Sequence, residues 1–169
     1  MDTQRTELET ERLQLRFWRE AYFDRYAQVY ADEEQARYIG GRLDRPQAWR
    51  HMSMITGHWA LRGYGPWALV EKSSGNFVGS IGLWRPEGWP ELELGYWLVP
   101  EARGTGYAAE AGARSRDFAF QELGATTLVS YIHPANEPSK RLAERLGATY
   151  EKTIELLNVG PHCVYRYPS

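Results

Sequence analysis

The chain has 169 residues, with 22 acidic and 20 basic side chains and a formal charge of −2. That length suits a single domain burying roughly two thirds of its unfolded surface, and the charge balance excludes a protein that grips nucleic acid through a basic face. A lone cysteine, Cys163, excludes an internal disulfide, and no apolar run approaches the roughly 20 residues of a membrane helix, so a cytoplasmic protein with no membrane partner is expected.

Residues 1–7 are polar and read as a frayed start to the single domain. "RLQLRFW" (12–18) alternates as a strand does, with Leu13, Leu15 and Phe17 on one side. Residues 20–31 read as a helix. Asp44 opens a second helix, with Pro46 in its first turn, that runs to about Leu61 before Gly63. "YGPWALVEK" (64–72) and "NFVGSIGLW" (76–84) flank a short turn and predict a hairpin. "RPEGWP" (85–90) turns the chain into a strand over 91–99. A helix from about Gly106 to Glu122, a strand over 126–132 and a helix from Asn136 to Leu146 follow. Gly147 suits the end of that helix. Two more strands, "YEKTIELL" and "CVYRY", finish the chain. Tight turns between successive strands imply antiparallel pairing, whereas strand–helix–strand over 91–132 needs a parallel, right-handed crossover. A mixed α/β sandwich is predicted.

Gly104 and Gly106 lie between the carboxyl end of a strand and the start of a helix. Unpaired N–H groups and the positive helix end converge there, which suits a phosphate; a plain tight turn is the competing reading. Arg103 is placed to add a charge-assisted contact. "GTGYAA" also satisfies a dinucleotide-binding pattern. That motif wants an acidic residue about 20 positions on, at the end of the next strand. The next strand ends Tyr131-Ile132-His133, and the preceding strands are antiparallel, so a nicotinamide cofactor is set aside. Downstream, Asn136 is a good N-cap and Pro138 is tolerated in the first turn. Ser139 adds little to such a cap and is a candidate for work in a cleft.

Together these stretches resemble the GNAT superfamily of acyl-CoA-dependent N-acetyltransferases, within it the RimJ/RimL branch. The family's bend, Gln/Arg-x-x-Gly-x-Gly/Ala, maps onto Glu101 to Gly106 with a departure at its first position. The branch's "GYWL-P" strand end matches Gly95 to Pro100. Its Asn-x-x-Ser helix matches Asn136 and Ser139, with Leu146, Gly147 and Ala148 closing it. The opening "ETERLQLR" (9–16) is similar to the branch's first strand. The resemblance implies a single-domain, mainly antiparallel sheet with helices on both faces, in which a parallel, splayed strand pair forms the acyl-CoA cleft. It implies acetyl-CoA as co-substrate, its pyrophosphate held by N–H groups of Arg103, Gly104, Thr105, Gly106, Tyr107 and Ala108. The pantetheine arm would pair with the backbone of Leu98 and Val99, and Asn136 would bond it from the other wall.

Acetyl transfer needs a neutral amine, a stabilised oxyanion and a proton for the leaving thiolate. Part of any α-amine is already neutral at pH 7, so a carboxylate acting through water suffices as base. Glu93 is the candidate. It shares strand parity with Gly95 and Trp97, opposite the apolar face of Leu92, Leu94, Tyr96 and Leu98. Beside Trp97 in a cleft its pKa would rise by desolvation; an ion pair on a solvated face is the competing reading, and Glu91 is the alternative base. By resemblance, Ser139 matches the serine that RimL-like enzymes use near the thiolate. The tyrosine that other branches carry one turn further on is replaced here by Ala143 and Glu144. The Leu98 or Val99 N–H is the natural oxyanion donor.

His51, His58, His133 and His162 have no ligand spacing, so no metal is expected. Cys163 reads as a small buried hydrophobe. Tyr38, Trp49, Trp59, Trp67, Trp84 and Trp89 divide between core and the rim of an acceptor cleft. "ADEEQ" (31–35) either draws in a cationic amine or is a solvated face. Direct transfer in a ternary complex follows, onto a small-molecule amine or a protein N-terminus, by a monomer or homodimer. A non-catalytic acyl-CoA-binding sensor or interaction module is the second reading.

Overall fold

The structure is a computed structural model that describes residues 6–169. Of the start predicted to be frayed, residues 1–5 lie outside the described residues, but Thr6 and Glu7 are fixed. The Thr6 carbonyl accepts the Trp67 indole N–H (2.8 Å), and the Glu7 carboxylate accepts the Phe17 N–H (3.0 Å) and pairs with Arg16.

Two short strands open the fold, β1 (Leu8–Glu9) and β2 (Leu13–Arg16). Helices α1 (Phe23–Ala31), α2 (Glu33–Ala36) and α3 (Arg45–Arg62) follow. The acidic run thus holds a helical turn, because the Asp32 side chain accepts from the N–H groups of Glu34 and Gln35. Asp44 caps α3 in a reciprocal box with Gln47, and Gly63 ends it in the left-handed region. Strands β3 (Pro66–Glu71), β4 (Phe77–Trp84) and β5 (Glu93–Leu98) come next, then α4 (Tyr107–Asp117), whose end widens into a π-helical turn over 118–122. The chain finishes with β6 (Val129–Ile132), α5 (Glu137–Arg145), β7 (Thr149–Leu156) and β8 (Gly160–Arg166). β6 begins three residues later than the predicted strand over 126–132; ahead of it the Thr127 hydroxyl donates to Glu91 (3.0 Å). β8 begins before Cys163 because a three-residue turn suffices to pair Leu156 with Gly160.

The described strands form one eight-stranded sheet, ordered β1-β2-β3-β4-β5-β6-β8-β7. Only β5 and β6 run parallel; the helical crossover between them imposes that direction. Helices cover both faces. Tyr96 reaches α5 through its hydroxyl, whereas its neighbour Trp97 packs edge-on against Tyr26 and Tyr30 of α1, as alternate strand residues must. The core lies between, around fully buried Leu13, Leu15, Trp67, Leu69, Ile81, Leu83 and Leu94.

Gly82 of β4 stands opposite Gly95 of β5 and leaves the α1/α3 face of the sheet bare there. A Cβ on Gly82, at φ 151°, would meet Gly65 O at 2.6 Å and Pro66 Cα at 2.7 Å. Gly82→Ala is therefore expected to destabilise the fold by about 3 kcal/mol, backbone strain and clash together; denaturant unfolding measures it.

Candidate active site

The sheet opens at β5. Val99 donates its N–H to Val78 across the β4–β5 edge (2.9 Å). Antiparallel partners alternate between bonded and non-bonded pairs, so the register that sets Gly79 against Leu98 turns the main-chain groups of Leu94, Tyr96 and Leu98 away from β4. On that side β6 pairs with β5 only at Glu93 and Val129, where the Val129 N–H donates to Leu92 O (3.0 Å). The Ser130 hydroxyl then closes on Leu94 O (2.6 Å) and the strands part. The amides of Tyr96 and Leu98 face the gap. Val99 is a correction: its N–H is engaged by β4 and cannot serve there as a donor.

One turn past the gap the chain bends. Gly104 and Gly106 hold φ of 73° and 85°, and Gly106 caps α4. The N–H groups of Gly104, Thr105, Gly106, Ala108 and Ala109 have no partner among the described residues. Two expected donors are already engaged: Arg103 N–H on Pro100 O (3.2 Å) and Tyr107 N–H on Thr105 Oγ1 (3.4 Å). The Arg103 guanidinium folds back to Leu98 O (3.4 Å). A cation that the linear sequence did not reveal braces the bend instead. Arg12 bonds Thr105 O (3.0 Å), pairs with Glu110 (2.7 Å) and lies 4.6 Å over the Tyr107 ring. Its guanidinium is separated from those partners by more than ninety positions, so no local signal exists.

Glu93 leaves β5 on the α1/α3 side. The Trp89 indole N–H donates to its Oε2 (2.9 Å). Burial pushes the carboxyl pKa up to about 7 against the opposing bonds from Trp89 and the Tyr131 main chain. The direction is that expected from the sequence, but the indole in contact is Trp89 rather than Trp97. Glu91 is held by Arg166 through two bonds (2.9 and 3.0 Å) and by Thr127, and Arg166 keeps its carboxyl below the ordinary range. That is a structural carboxylate.

Across the gap, Asn136 Oδ1 accepts the Ser139 N–H (3.3 Å) and caps α5, leaving its amide nitrogen without a partner among the described residues. The Ser139 hydroxyl donates to the Tyr96 hydroxyl (3.3 Å), which donates to Ser139 O (2.9 Å). Burial raises the Tyr96 pKa, so the phenol stays neutral. Tyr96 was placed on the apolar face by parity, which is correct for its ring; the hydroxyl reaches beyond the core to the gap.

Glu93, Tyr96, Ser139 and Asn136 line one cavity of about 460 Å³. Its far wall comes from α1, α3 and the loop after α2: Tyr30, Tyr38, Ile39, His51, Met54 and Ile55. Of the tryptophans, Trp84 and Trp89 line it, Trp59 and Trp67 are core, and Trp49 is exposed on α3. His51 Nδ1 meets the Tyr26 hydroxyl (2.5 Å), and burial lowers its pKa. His58 is a satisfied neutral imidazole, bonded to Tyr64 O (2.9 Å) and accepting the Arg85 N–H (3.3 Å).

A parted parallel strand pair leading to a glycine bend and a helix start is the architecture of an acyl-CoA-dependent transferase. The chain belongs to the family described as the acetyltransferase (GNAT) domain, which matches residues 12–149, and it is an acetyl-CoA-dependent acetyltransferase. The family's reaction moves an acetyl group from acetyl-CoA to an amine. The uncharacterized protein YkkB of Bacillus subtilis is 30% identical over 98% of this chain and 97% of its own length. An acetyltransferase from Agrobacterium tumefaciens superposes with a TM-score of 0.88 at 35% identity, over 97% of this chain and 95% of its own. The fold is also that of Mycobacterium smegmatis RimJ, solved with CoA-disulfide, at a TM-score of 0.77 and 18% identity over 97% and 88% of the two chains. Among the described residues no helix is long and apolar enough to cross a membrane.

Proposed function

We propose that this chain is a RimJ/RimL-like N-acetyltransferase that moves the acetyl group directly to a primary amine within a ternary complex. One observation carries the reading: the N–H groups of Gly104, Thr105, Gly106, Ala108 and Ala109 are free in the bend that follows β5, the strand that bears Glu93 at its start and parts from β6 after it. The amides of Gly104, Thr105, Gly106 and Ala108 hold the diphosphate, with the Arg12 guanidinium beside the bend supplying positive charge. The Leu98 main chain and the Asn136 amide hold the arm. The Leu98 N–H faces the thioester oxygen where negative charge develops.

Glu93, ionised, takes a proton from the acceptor ammonium. The freed nitrogen pair attacks the thioester carbon and the C–S bond breaks. Of the two protons the ammonium loses, one goes to solvent by way of Glu93. The other leaves the nitrogen as the intermediate collapses and passes through cleft water to the Ser139 hydroxyl, which hands its own proton to the thiolate. Acetamide and free thiol leave.

Thiol release with acetyl-CoA and a panel of primary amines tests the reading. Turnover supports it; calorimetric binding of coenzyme A without turnover of any amine would instead favour a sensor. Ser139→Ala is expected to lower kcat about tenfold to a hundredfold, the low end for a proton donor that water can replace. The KM for acetyl-CoA should hold, because Asn136 caps α5 through the Ser139 main chain, not its hydroxyl. An unchanged kcat across pH removes the assignment.

A further inference from the structure

The cavity is unusual in its charge. Among the described residues that line it, Glu93 is the only Asp, Glu, Lys or Arg side chain. The two histidines of the lining add no second anion, and burial of His51 disfavours its charged form. The rest of the acceptor side is rings and aliphatic groups, with the uncharged Ser80 hydroxyl, over a floor of Gly82 and Gly95. The rings are held in place: Trp84 stacks on His58 (4.5 Å), Tyr30 meets Trp97 edge-on (5.9 Å), Trp89 meets Tyr131 edge-on (5.9 Å) and Tyr38 lies 5.2 Å from His133.

Resting on the acetyl-transfer reading above, we infer that the acceptor is a small monoamine with an uncharged aromatic body, an arylalkylamine. Its ammonium meets Glu93, and its ring lies among Tyr30, Tyr38, Trp84 and Trp89. One carboxylate compensates one ammonium. A polyamine or an aminoglycoside would bury further ammonium groups with no anion to meet them, which costs several kcal/mol each when desolvated. An amino acid would set its own carboxylate near Glu93. A peptide N-terminus brings an N–H and a C=O with every residue, each needing a partner that a ring wall rarely gives. Rings, by contrast, accept another ring edge-on or stacked, and their faces attract the ammonium during entry. The cavity lies within the roughly 300–1,000 Å³ of small-molecule clefts, which suits a body of one or two rings beside the acetyl end.

The step is the one balanced above: the amine nitrogen bonds the acetyl carbon, the C–S bond breaks, and one proton of the ammonium leaves through Glu93. The test compares kcat/KM for phenethylamine and tryptamine with spermidine, an aminoglycoside, phenylalanine and an alanine-initiated hexapeptide, at saturating acetyl-CoA. At least a tenfold preference for the arylalkylamines is expected, the equivalent of about 1.4 kcal/mol. A matching or higher value for any of the other four overturns the acceptor class and leaves acetyl transfer standing. No thiol release with any amine overturns both. Gly95→Val gives a second measurement. Its φ is not in the left-handed region, and a Cβ there meets only Glu93 Oε1 at 3.9 Å, so the side chain grows into the cavity floor. The KM for phenethylamine should rise roughly tenfold with the KM for acetyl-CoA unmoved. An unmoved phenethylamine KM overturns the placement.

Discussion

Glu93→Gln is expected to lower kcat/KM for acetyl transfer by roughly 10²–10⁴-fold, the range of a positioned general base, with coenzyme A affinity unchanged by calorimetry. The amide keeps an acceptor for the Trp89 indole and nearly the same volume, so lost packing is a small part of the effect. The pH dependence separates base from mere filler. With its pKa at about 7, the carboxyl is the active, ionised form only above neutrality, and kcat/KM of the parent enzyme should fall about tenfold per pH unit below it. In Glu93→Gln that inflection disappears and only the titration of the acceptor amine remains.

Stability runs the other way. The folded pKa of Glu93 lies above its unfolded value near 4.5, so the folded state prefers the protonated form, and stability is lost as pH rises from about 4.5 to about 7. The loss is at most about 3 kcal/mol and smaller where cavity water reaches the carboxyl. Glu93→Gln should therefore melt with the parent at acid pH and at or above it in mild alkali. Equal rates for parent and variant, or a pH profile that keeps its inflection, would remove Glu93 from the base role. The two tyrosines coupled to it do not imitate this titration: burial raises the hydroxyls of Tyr131 and Tyr167 to about 12 each.

What the sequence disclosed here was whatever depends on a short period. Alternation over residues 92–98 placed Glu93 on the face away from Leu94 and Leu98, and the structure keeps that parity. Strand, proline, two glycines and an alanine-rich helix were readable as a bend with spare N–H groups, and Asn136 as the cap of α5. What remained hidden depends on register or on elements far apart in the chain. Whether Val99 or Leu98 turns its amide into the gap is set by the pairing of β5 with β4, which no residue of β5 announces. Arg12 reaches the bend because β2 lies near the start of α4. The Tyr96 hydroxyl finds Ser139 across 43 positions. The ring wall needs the placement of α1 and α3 against the sheet, and the aromatic residues that became core, Trp59 and Trp67, differ from Trp84 and Trp89 in nothing local.

Gly106→Val is expected to raise the dissociation constant for coenzyme A at least tenfold, with a comparable rise in the acetyl-CoA KM and a much smaller fall in kcat at saturation. Gly106 sits at φ 85°, and a Cβ on it would stand 3.3 Å from Arg12 Nη2. Two routes out of that strain exist. Either the backbone leaves the left-handed region, or Arg12 is pushed from Thr105 O and Glu110. Both displace the free N–H groups of Thr105, Gly106 and Ala108, and a hydrogen bond to a charged group is worth about 1.5–3 kcal/mol. Loss of a single one is enough for roughly a tenfold to hundredfold weakening. The same variant should lose part of the salt sensitivity of coenzyme A binding, because fewer charge-assisted bonds remain to be screened. Fold stability should fall by about 1–2 kcal/mol from the backbone conformation alone, which a melting curve reports separately. Glu93→Gln supplies the internal control, since it alters chemistry at the other end of the gap and leaves the bend intact. If Gly106→Val binds coenzyme A as the parent does while remaining folded, the diphosphate is held elsewhere, and the free amides at the start of α4 serve the turn alone.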